Sequence, residues 1–323
     1  MEYNVIGKTG VKVSELCFGT MSFGGEADKE SSKAMFNRCR EVGINFFDTA
    51  DIYSNGRSEE ILGECISDCR DEIVLSTKVF GATGKDINDE GLSRRHIIQA
   101  VENSLKRLRT DRIDFYFLHK FDSNTPIEET LYALDHLQRQ GKILYPAVSN
   151  WAAWQIATAL GISAKESLAR FECVQPMYNL VKRQVEVEIL PLAQAKNLGV
   201  LTYSPLGAGL LTGKYTNNKK IADGRIANNE RYKQRYGEES YYEVADKFVL
   251  YAEKKGYHPV SLAVAWVMSH PDVTAPLIGA RNLEQLEDSL AAKEINMTDD
   301  LRKEITSLSI EPPVATDRTE KFL

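Results

Sequence analysis

INFFDTADIYSNGRSEEILGECISDCR, residues 44–70, carries one whole structural unit. INFFDTA (44–50) is a short run of apolar, β-favouring residues, and from 58 to 70 the apolar positions recur at helical spacing. The same alternation repeats outward in both directions. Further strand-like runs are ELCFGT (15–20), IVLSTKV (73–79), IDFYFLH (113–119), ILYPAVSN (143–150), FECVQP (171–176), GVLTYSP (199–205) and TAPLIGA (274–280). Helical periodicity fills 29–42, 94–109, 127–140, 152–160, 185–197, 240–256 with 259–269, and 282–292. Eight strand–helix units with no composition break predict one domain over residues 1–323, an α/β chain folded as a (β/α)8 TIM barrel. A doubly wound open sheet is the competing arrangement. Two pieces fall outside the repeat. YNVIGKTGVKVS (3–14) alternates about a Lys-Thr-Gly turn and predicts a β-hairpin under the barrel, while 206–239, after the seventh strand, is too long for a routine connection. The final stretch, 298–323, opens on a Thr-Asp-Asp helix start and runs into a polar tail.

The bulk numbers restrict function. With 43% hydrophobic and 27% charged residues the chain is ordinary globular material. No run of about 18 apolar residues predicts a membrane span, and MEYNVIGKTGVKVSE lacks a basic-then-apolar leader, so a cytoplasmic location is expected. A net charge of −6 argues against nucleic acid as a partner, though a few converging cations still suffice to hold an anionic cofactor. Five cysteines without CxxC spacing read as thiols in a reducing compartment, and no metal site is expected.

Barrel active sites are built at the C-terminal strand ends. There the second run presents Asp48 and, five residues on, Tyr53; the third presents Lys78 and the fourth His119. Neighbouring parallel strands lie ~4.8 Å apart, so these side chains can touch. Reducing a carbonyl needs hydride at carbon and a proton at oxygen. Tyr53, with a reference pKa of ~10, is expected to become more acidic beside the Lys78 ammonium, which Asp48 would keep charged. His119 would orient the carbonyl, and the hydride would come from a cofactor. Each residue alone also has a structural reading: helix cap, packing ring, rim charge, satisfied histidine. Their conjunction on three successive strand ends is what points to chemistry.

DTADIYSNGRSEEILGE, STKV, FLHK, VSNW, VQPMYN and YSPLGAGLLTGKY, in this order, closely resemble the aldo-keto reductase superfamily over about residues 3–295. GLSRRHI (91–97), TPIEET and the long segment after strand seven resemble the branch containing the potassium-channel β-subunits and related bacterial reductases. The resemblance implies a catalytic tetrad of Asp48, Tyr53, Lys78 and His119, with Tyr53 as general acid–base. The channel β-subunits carry Asn where this chain has His119, so the enzyme-type tetrad is kept. A barrel rim favours phosphates after strands seven and eight. No GxGxxG follows the first strand, and GAGLLTGKY (207–215) departs from a nucleotide-triphosphate loop at Ala208 and Tyr215. In PLIGARNLEQLEDSL, Gly279 permits close approach, Arg281 offers a fork for phosphate and Asn282 can cap a helix.

By resemblance, Gly279, Arg281 and Gln285 would meet the adenosine 2′-phosphate and ribose, which makes the expected cofactor NADPH (NADP+). Ser149, Asn150 and Gln175 would bind the nicotinamide carboxamide, and Tyr203 would stack on its ring. Ser204, Pro205, Leu206, Gly207 and Ala208 would approach the pyrophosphate, with Lys214 and Arg225 adding charge. Thr20 and Met21 would flank the nicotinamide beside Asp48. The chain has Asp288 and Ser289 where the family usually places Glu-Asn at adenine. Phe23, Phe80, Trp151 and Tyr178, together with Met21, are the expected substrate walls, suited to an aldehyde or ketone with a hydrophobic substituent; Trp151 has helix packing as its alternative. The resemblance allows a homo-oligomer. Two rival functions remain open at this point: a redox-sensing regulatory subunit that holds NADPH with little turnover, and isomerase chemistry that binds no nicotinamide.

Overall fold

Strict alternation along the barrel strands decides which side chains meet. The structure, a computed structural model, describes residues 1–215 and 224–316, without the Arg225 side chain. Strands β1 (Tyr3–Val5) and β2 (Lys12–Ser14) form an antiparallel hairpin with Tyr3 opposite Ser14. Next come β3 (Cys17–Gly19), β4 (Phe46–Asp48), β5 (Val74–Val79), β6 (Ile113–Leu118), β7 (Ile143–Ser149), β8 (Cys173–Gln175), β9 (Gly199–Thr202) and β10 (Ala275–Ile278). These eight are parallel and close in chain order, β10 pairing with β3, which makes a (β/α)8 barrel and excludes the open sheet.

Helices α1 (Lys29–Glu41), α2 (Arg57–Ile66), α3 (Arg94–Leu108), α4 (Ile127–Arg139), α5 (Ala153–Glu166) and α6 (Ile189–Lys196) follow successive strands. The long segment after β9 holds a 3-10 turn over Gly207–Thr212, then α7 (Arg225–Asn228) and α8 (Glu230–Tyr236). Helices α9 (Glu239–Lys255), α10 (Pro259–Met268), α11 (Leu283–Leu290) and α12 (Asp299–Thr306) complete the order. Each expected strand is present, and all but β5 end earlier than their apolar runs. The run 199–205, for instance, pairs as a strand only to Thr202, and Tyr203 keeps a single bridge to Met177. The residues released from the ladders build the rim.

On β6, Phe115 and Phe117 face the barrel interior with Phe46, Cys173 and Leu201, while Tyr116 and Leu118 pack against the helices. Register carries this layering to the neighbours: Lys78 is level with Phe117, Ser76 with Phe115, and Asp48 with Ser76. Asp48, Ser76 and Lys78 therefore point inward. The hairpin seals the opposite end with Ile6 and Val13, both fully buried. Gly199 makes that fit possible, since a Cβ there would lie 2.3 Å from the Ile6 side chain. Among the described residues no helix is long and apolar enough to cross a membrane.

Two helical glycines give opposite expectations. A Cβ on Gly63 in α2 would come within 2.5 Å of the Arg107 carbonyl oxygen of α3, whereas one on Gly161 in α5 meets nothing within 4 Å. Gly161→Ala should stabilise by up to about 1 kcal/mol through helix propensity alone. Gly63→Ala should instead destabilise by about 1–3 kcal/mol, as overpacking does. Denaturant midpoints of the two variants check this; a more stable Gly63→Ala protein would contradict the close packing of α2 on α3.

Candidate active site at the C-terminal rim

Three strand ends and one turn converge on a buried ammonium. Lys78 Nζ, fully buried, donates to Asp48 Oδ2 (2.5 Å), to the Thr49 carbonyl (2.6 Å) and to the Tyr53 hydroxyl (3.4 Å). Its three protons thus all have acceptors, as a buried charge requires. The other Asp48 oxygen, Oδ1, accepts from Ser76 Oγ (2.7 Å) and from Gln175 Nε2 (3.0 Å). Gln175 ends β8, directly across the barrel from β4, so this bond spans the mouth. Tyr53 opens a tight turn in which Ser54 (φ 49°), Asn55 (φ 55°) and Gly56 (φ 89°) are all left-handed. Three such residues in a row turn the chain sharply from strand end into α2 and leave the phenol over Lys78. The His119 ring stands edge-on to Tyr53, centroids 5.9 Å apart.

Burial and charge set the protonation states. Burial alone would lower the Lys78 pKa, but Asp48, with a smaller contribution from Tyr53, outweighs it and holds the ammonium above its ordinary value. For Tyr53 the direction expected from sequence is reversed. Burial raises its pKa more than Lys78 lowers it, and the Asp48 charge adds to the rise, so the phenol stays protonated at neutral pH. His119 is pushed down to about 3, by burial first and then by the Lys78 and Arg231 cations, and is therefore a neutral imidazole. Asp51, buried two residues before Tyr53, has no hydrogen-bond partner for its carboxylate oxygens. Burial first, and then the nearby Glu59 charge, raise its pKa well above the ordinary value for an aspartate.

Above this cluster opens a cavity of about 1010 Å3, at the upper end of the ~300–1,000 Å3 usual for small-molecule sites. Asp48, Tyr53 and His119 line it, with Met21 and Phe80 beside them. Ser149, Asn150, Gln175 and Tyr203 form its middle, and Ser204, Pro205, Leu206, Ala208 and Lys214 its β9 side. Gly279, Arg281, Gln285, Asp288 and Ser289 line the β10 side. Asn150 (φ 58°) and Ser204 (φ 61°) are left-handed, which turns the chain over the rim. Asn150 donates to the His119 carbonyl (2.9 Å) and accepts from the Tyr203 hydroxyl (2.6 Å), fixing that ring in place. Asn282 caps α11, its side chain accepting from the Gln285 N–H (3.0 Å). Arg281 has only a loose contact with Glu26 (3.7 Å) among the ion pairs described.

Several expected positions lie elsewhere. Phe23 is fully buried and does not line the cavity: a turn in which its N–H bonds the Thr20 carbonyl folds the ring back onto Phe18. Tyr178 is likewise buried, its ring against Trp266 and its hydroxyl donating to Glu186 (2.6 Å), so it braces the outer core. Trp151 packs between Phe121 and Phe171 and borders only a side cavity of about 150 Å3, which favours its packing alternative. Thr20 is buried under the rim, bonded to Ser58 (2.8 Å), and Gly207 shapes the 3-10 turn without lining the cavity. The Arg225 side chain lies outside the described residues. In their place the cavity gains residues that sequence reading missed, chiefly Lys120 after His119 and Arg231, Tyr232 and Arg235 of α8. RYKQRY (231–236) spaces its arginines i,i+4 on one helical face, a signal that was present but had no partner in sequence to give it meaning.

Comparison with known proteins agrees with this architecture. The Aldo/keto reductase family model matches residues 15–310. A "Probable voltage-gated potassium channel subunit beta" of Arabidopsis thaliana is 39% identical over 303 residues, covering 91% of this chain and 92% of the relative. Its counterpart in Oryza sativa subsp. japonica is 38% identical with the same coverage. The "Uncharacterized oxidoreductase YrpG" of Bacillus subtilis is 35% identical over 320 residues, 95% of this chain and 96% of the relative. With a closed eight-stranded barrel and matches over nine-tenths of its length, the chain belongs to the aldo/keto reductase family.

Proposed function

We propose that this chain reduces aldehydes or ketones to alcohols at the expense of NADPH, with Tyr53 delivering the proton. The observation that carries the reading is Lys78 Nζ held between Asp48 Oδ2 (2.5 Å) and the Tyr53 hydroxyl (3.4 Å) beneath a mouth that His119 also lines. When bound, the reduced nicotinamide supplies hydride. Everything else is done by the protein. His119, being neutral, keeps a ring N–H with which to hold the carbonyl oxygen beside Tyr53. As negative charge develops on that oxygen, the Tyr53 hydroxyl transfers its proton. The phenolate left behind faces an ammonium that Asp48 keeps charged, so the product of the proton transfer is stabilised in place. A phenol held protonated by burial suits reduction, which consumes that proton.

The residues suit the cofactor. The cavity is long enough to run from the tetrad to α11, and its β9–β10 side carries Lys214, Arg281 and the capped N-terminus of α11, a donor set for phosphates. We assign Arg281, Gly279 and Gln285 to the 2′-phosphate side and the 204–208 backbone with Lys214 to the pyrophosphate. Ser149, Asn150 and Gln175 take the carboxamide, and Tyr203 takes the ring. Ser289 bonds its own helix at the Gln285 carbonyl (3.4 Å), which leaves Asp288 for adenine. A regulatory reading, in which NADPH is held and a partner controlled, has the channel-subunit names of two relatives in its favour. Turnover of an aldehyde panel by the pure protein separates the two.

Tyr53→Phe keeps the ring and removes the proton; kcat should fall by about 100-fold or more while NADPH affinity, read by fluorescence, changes little. A fully active variant would reject the assignment. Arg281→Ala should weaken NADPH far more than NADH in the same titration, and an equal loss for both would remove Arg281 from the 2′-phosphate. The pH profile has a fixed sign. His119 is neutral above about 3 and Tyr53 stays protonated beyond the usual tyrosine range, so reductive kcat/KM should be flat from about pH 5.5 to 8.5. Alcohol oxidation needs the phenolate and should climb with pH over the same span. A reductive rate that falls with a midpoint near 7 would mean that one of these two groups titrates there.

A further inference from the structure

The lysines and arginines lining the cavity are Lys120, Lys214, Arg231, Arg235 and Arg281. In the closed order, three strands separate β6 from β10 in either direction, so the strand ends that carry Lys120 and Arg281 face each other across the mouth. Arg281 and Lys214 belong to the side assigned above to phosphates. Lys120 belongs to the other, next to His119 and with its Nζ 5.5 Å from the centre of the Phe80 ring. Arg231 joins it from α8, close enough that its charge helps to hold His119 neutral. Among the described residues neither Lys120 nor Arg231 is paired with a carboxylate. Of the acids lining the cavity, Asp48 is bound to Lys78, and Asp288 sits on α11 at the far side.

The placement of Arg231 is built in. Tyr236, buried at the end of α8, accepts from Asn179 Nδ2 (3.2 Å), bonds Ser204 Oγ (3.0 Å) and donates to Met177 Sδ (3.1 Å). That anchor ties the helix to the ends of β8 and β9, and Arg231 lies just over one turn back along it. Three aromatic rings expected in the mouth are packed into the core instead, so this end is less apolar than its sequence suggested. An unpaired guanidinium and an ammonium beside the reacting group form a receptor for an anion.

We propose that the preferred substrates are carbonyl compounds bearing a carboxylate or phosphate, which Arg231 and Lys120 hold beyond the reacting carbon. The inference rests on the reductase reading and sharpens its substrate class. The test compares 4-carboxybenzaldehyde with its methyl ester, and glyceraldehyde 3-phosphate with glyceraldehyde, the two pairs distinguishing carboxylate from phosphate. In at least one pair kcat/KM should favour the charged member tenfold or more, chiefly through KM. Arg231→Gln and Lys120→Gln should each cut that preference several-fold, and added salt should erode it. Lys233→Gln, on the same helix but outside the cavity, controls for net charge and should leave it intact. Equal rates for charged and neutral members, or a preference that survives both cavity substitutions, would overturn the inference and leave the reductase reading standing. If no aldehyde is turned over, that reading fails instead. Calorimetry of 4-(hydroxymethyl)benzoate and inorganic phosphate, with and without NADP+, then decides: Arg231-dependent binding upholds the anion site, and its absence overturns it.

Discussion

A lysine with no exposed surface normally loses its proton, because burial penalises the ammonium by far more than a weak partner returns. Lys78 escapes this through the Asp48 carboxylate, which register places on the adjacent strand, one residue pair below it and facing the same interior. The pair is costly to desolvate and stabilises the fold little if at all. Its value lies in what it holds: a fixed positive charge under the Tyr53 hydroxyl and beside His119. Asp48 is itself locked by Ser76 and by Gln175 from across the barrel, so the whole floor of the mouth is one hydrogen-bonded unit.

That unit depends on the alternation of the barrel strands. Where β5 and β6 are level, Lys78 shares a layer with Phe117, and Ser76 and Asp48 share the next one down with Phe115. Below, the phenylalanines and the hairpin residues Ile6 and Val13 exclude water; above, the strands end early and their released residues turn outward. A shift of one residue in any of these strands would turn the acid or the ammonium into the outer, helix-facing layer. Asp48 and Lys78 are therefore as precisely placed as the register, and the short turn that follows β4 sets Tyr53 over them.

Much of this was legible in the sequence. Local patterning suffices for eight strand–helix units, because each short apolar run is bounded by its own turn, and strand-end position suffices for Asp48, Tyr53, Lys78 and His119. What failed were statements about where a rim side chain points. Phe23 and Tyr178 are large and apolar, and the nearest hydrophobic volume for each was the core behind the rim; sequence spacing does not distinguish the two sides of a turn. The direction of the Tyr53 shift failed for a related reason, since a neighbouring cation can be inferred from strand order but the depth of burial that outweighs it cannot. Arg231 and Lys120 were missed because their significance is purely spatial: α8 is held at the mouth by the buried Tyr236, which follows Arg231 by five residues and bonds Asn179 and Ser204, just past β8 and β9.

The most direct measurement is the protonation state of Lys78 itself, followed by its 15Nζ and 13Cε resonances in selectively labelled protein between pH 6 and 10. An ammonium that persists across this range in the wild type, and is lost at lower pH in Asp48→Asn, is the expected result. A wild-type Lys78 that gives up its proton below pH 9 would contradict the charge arrangement on which the rest stands.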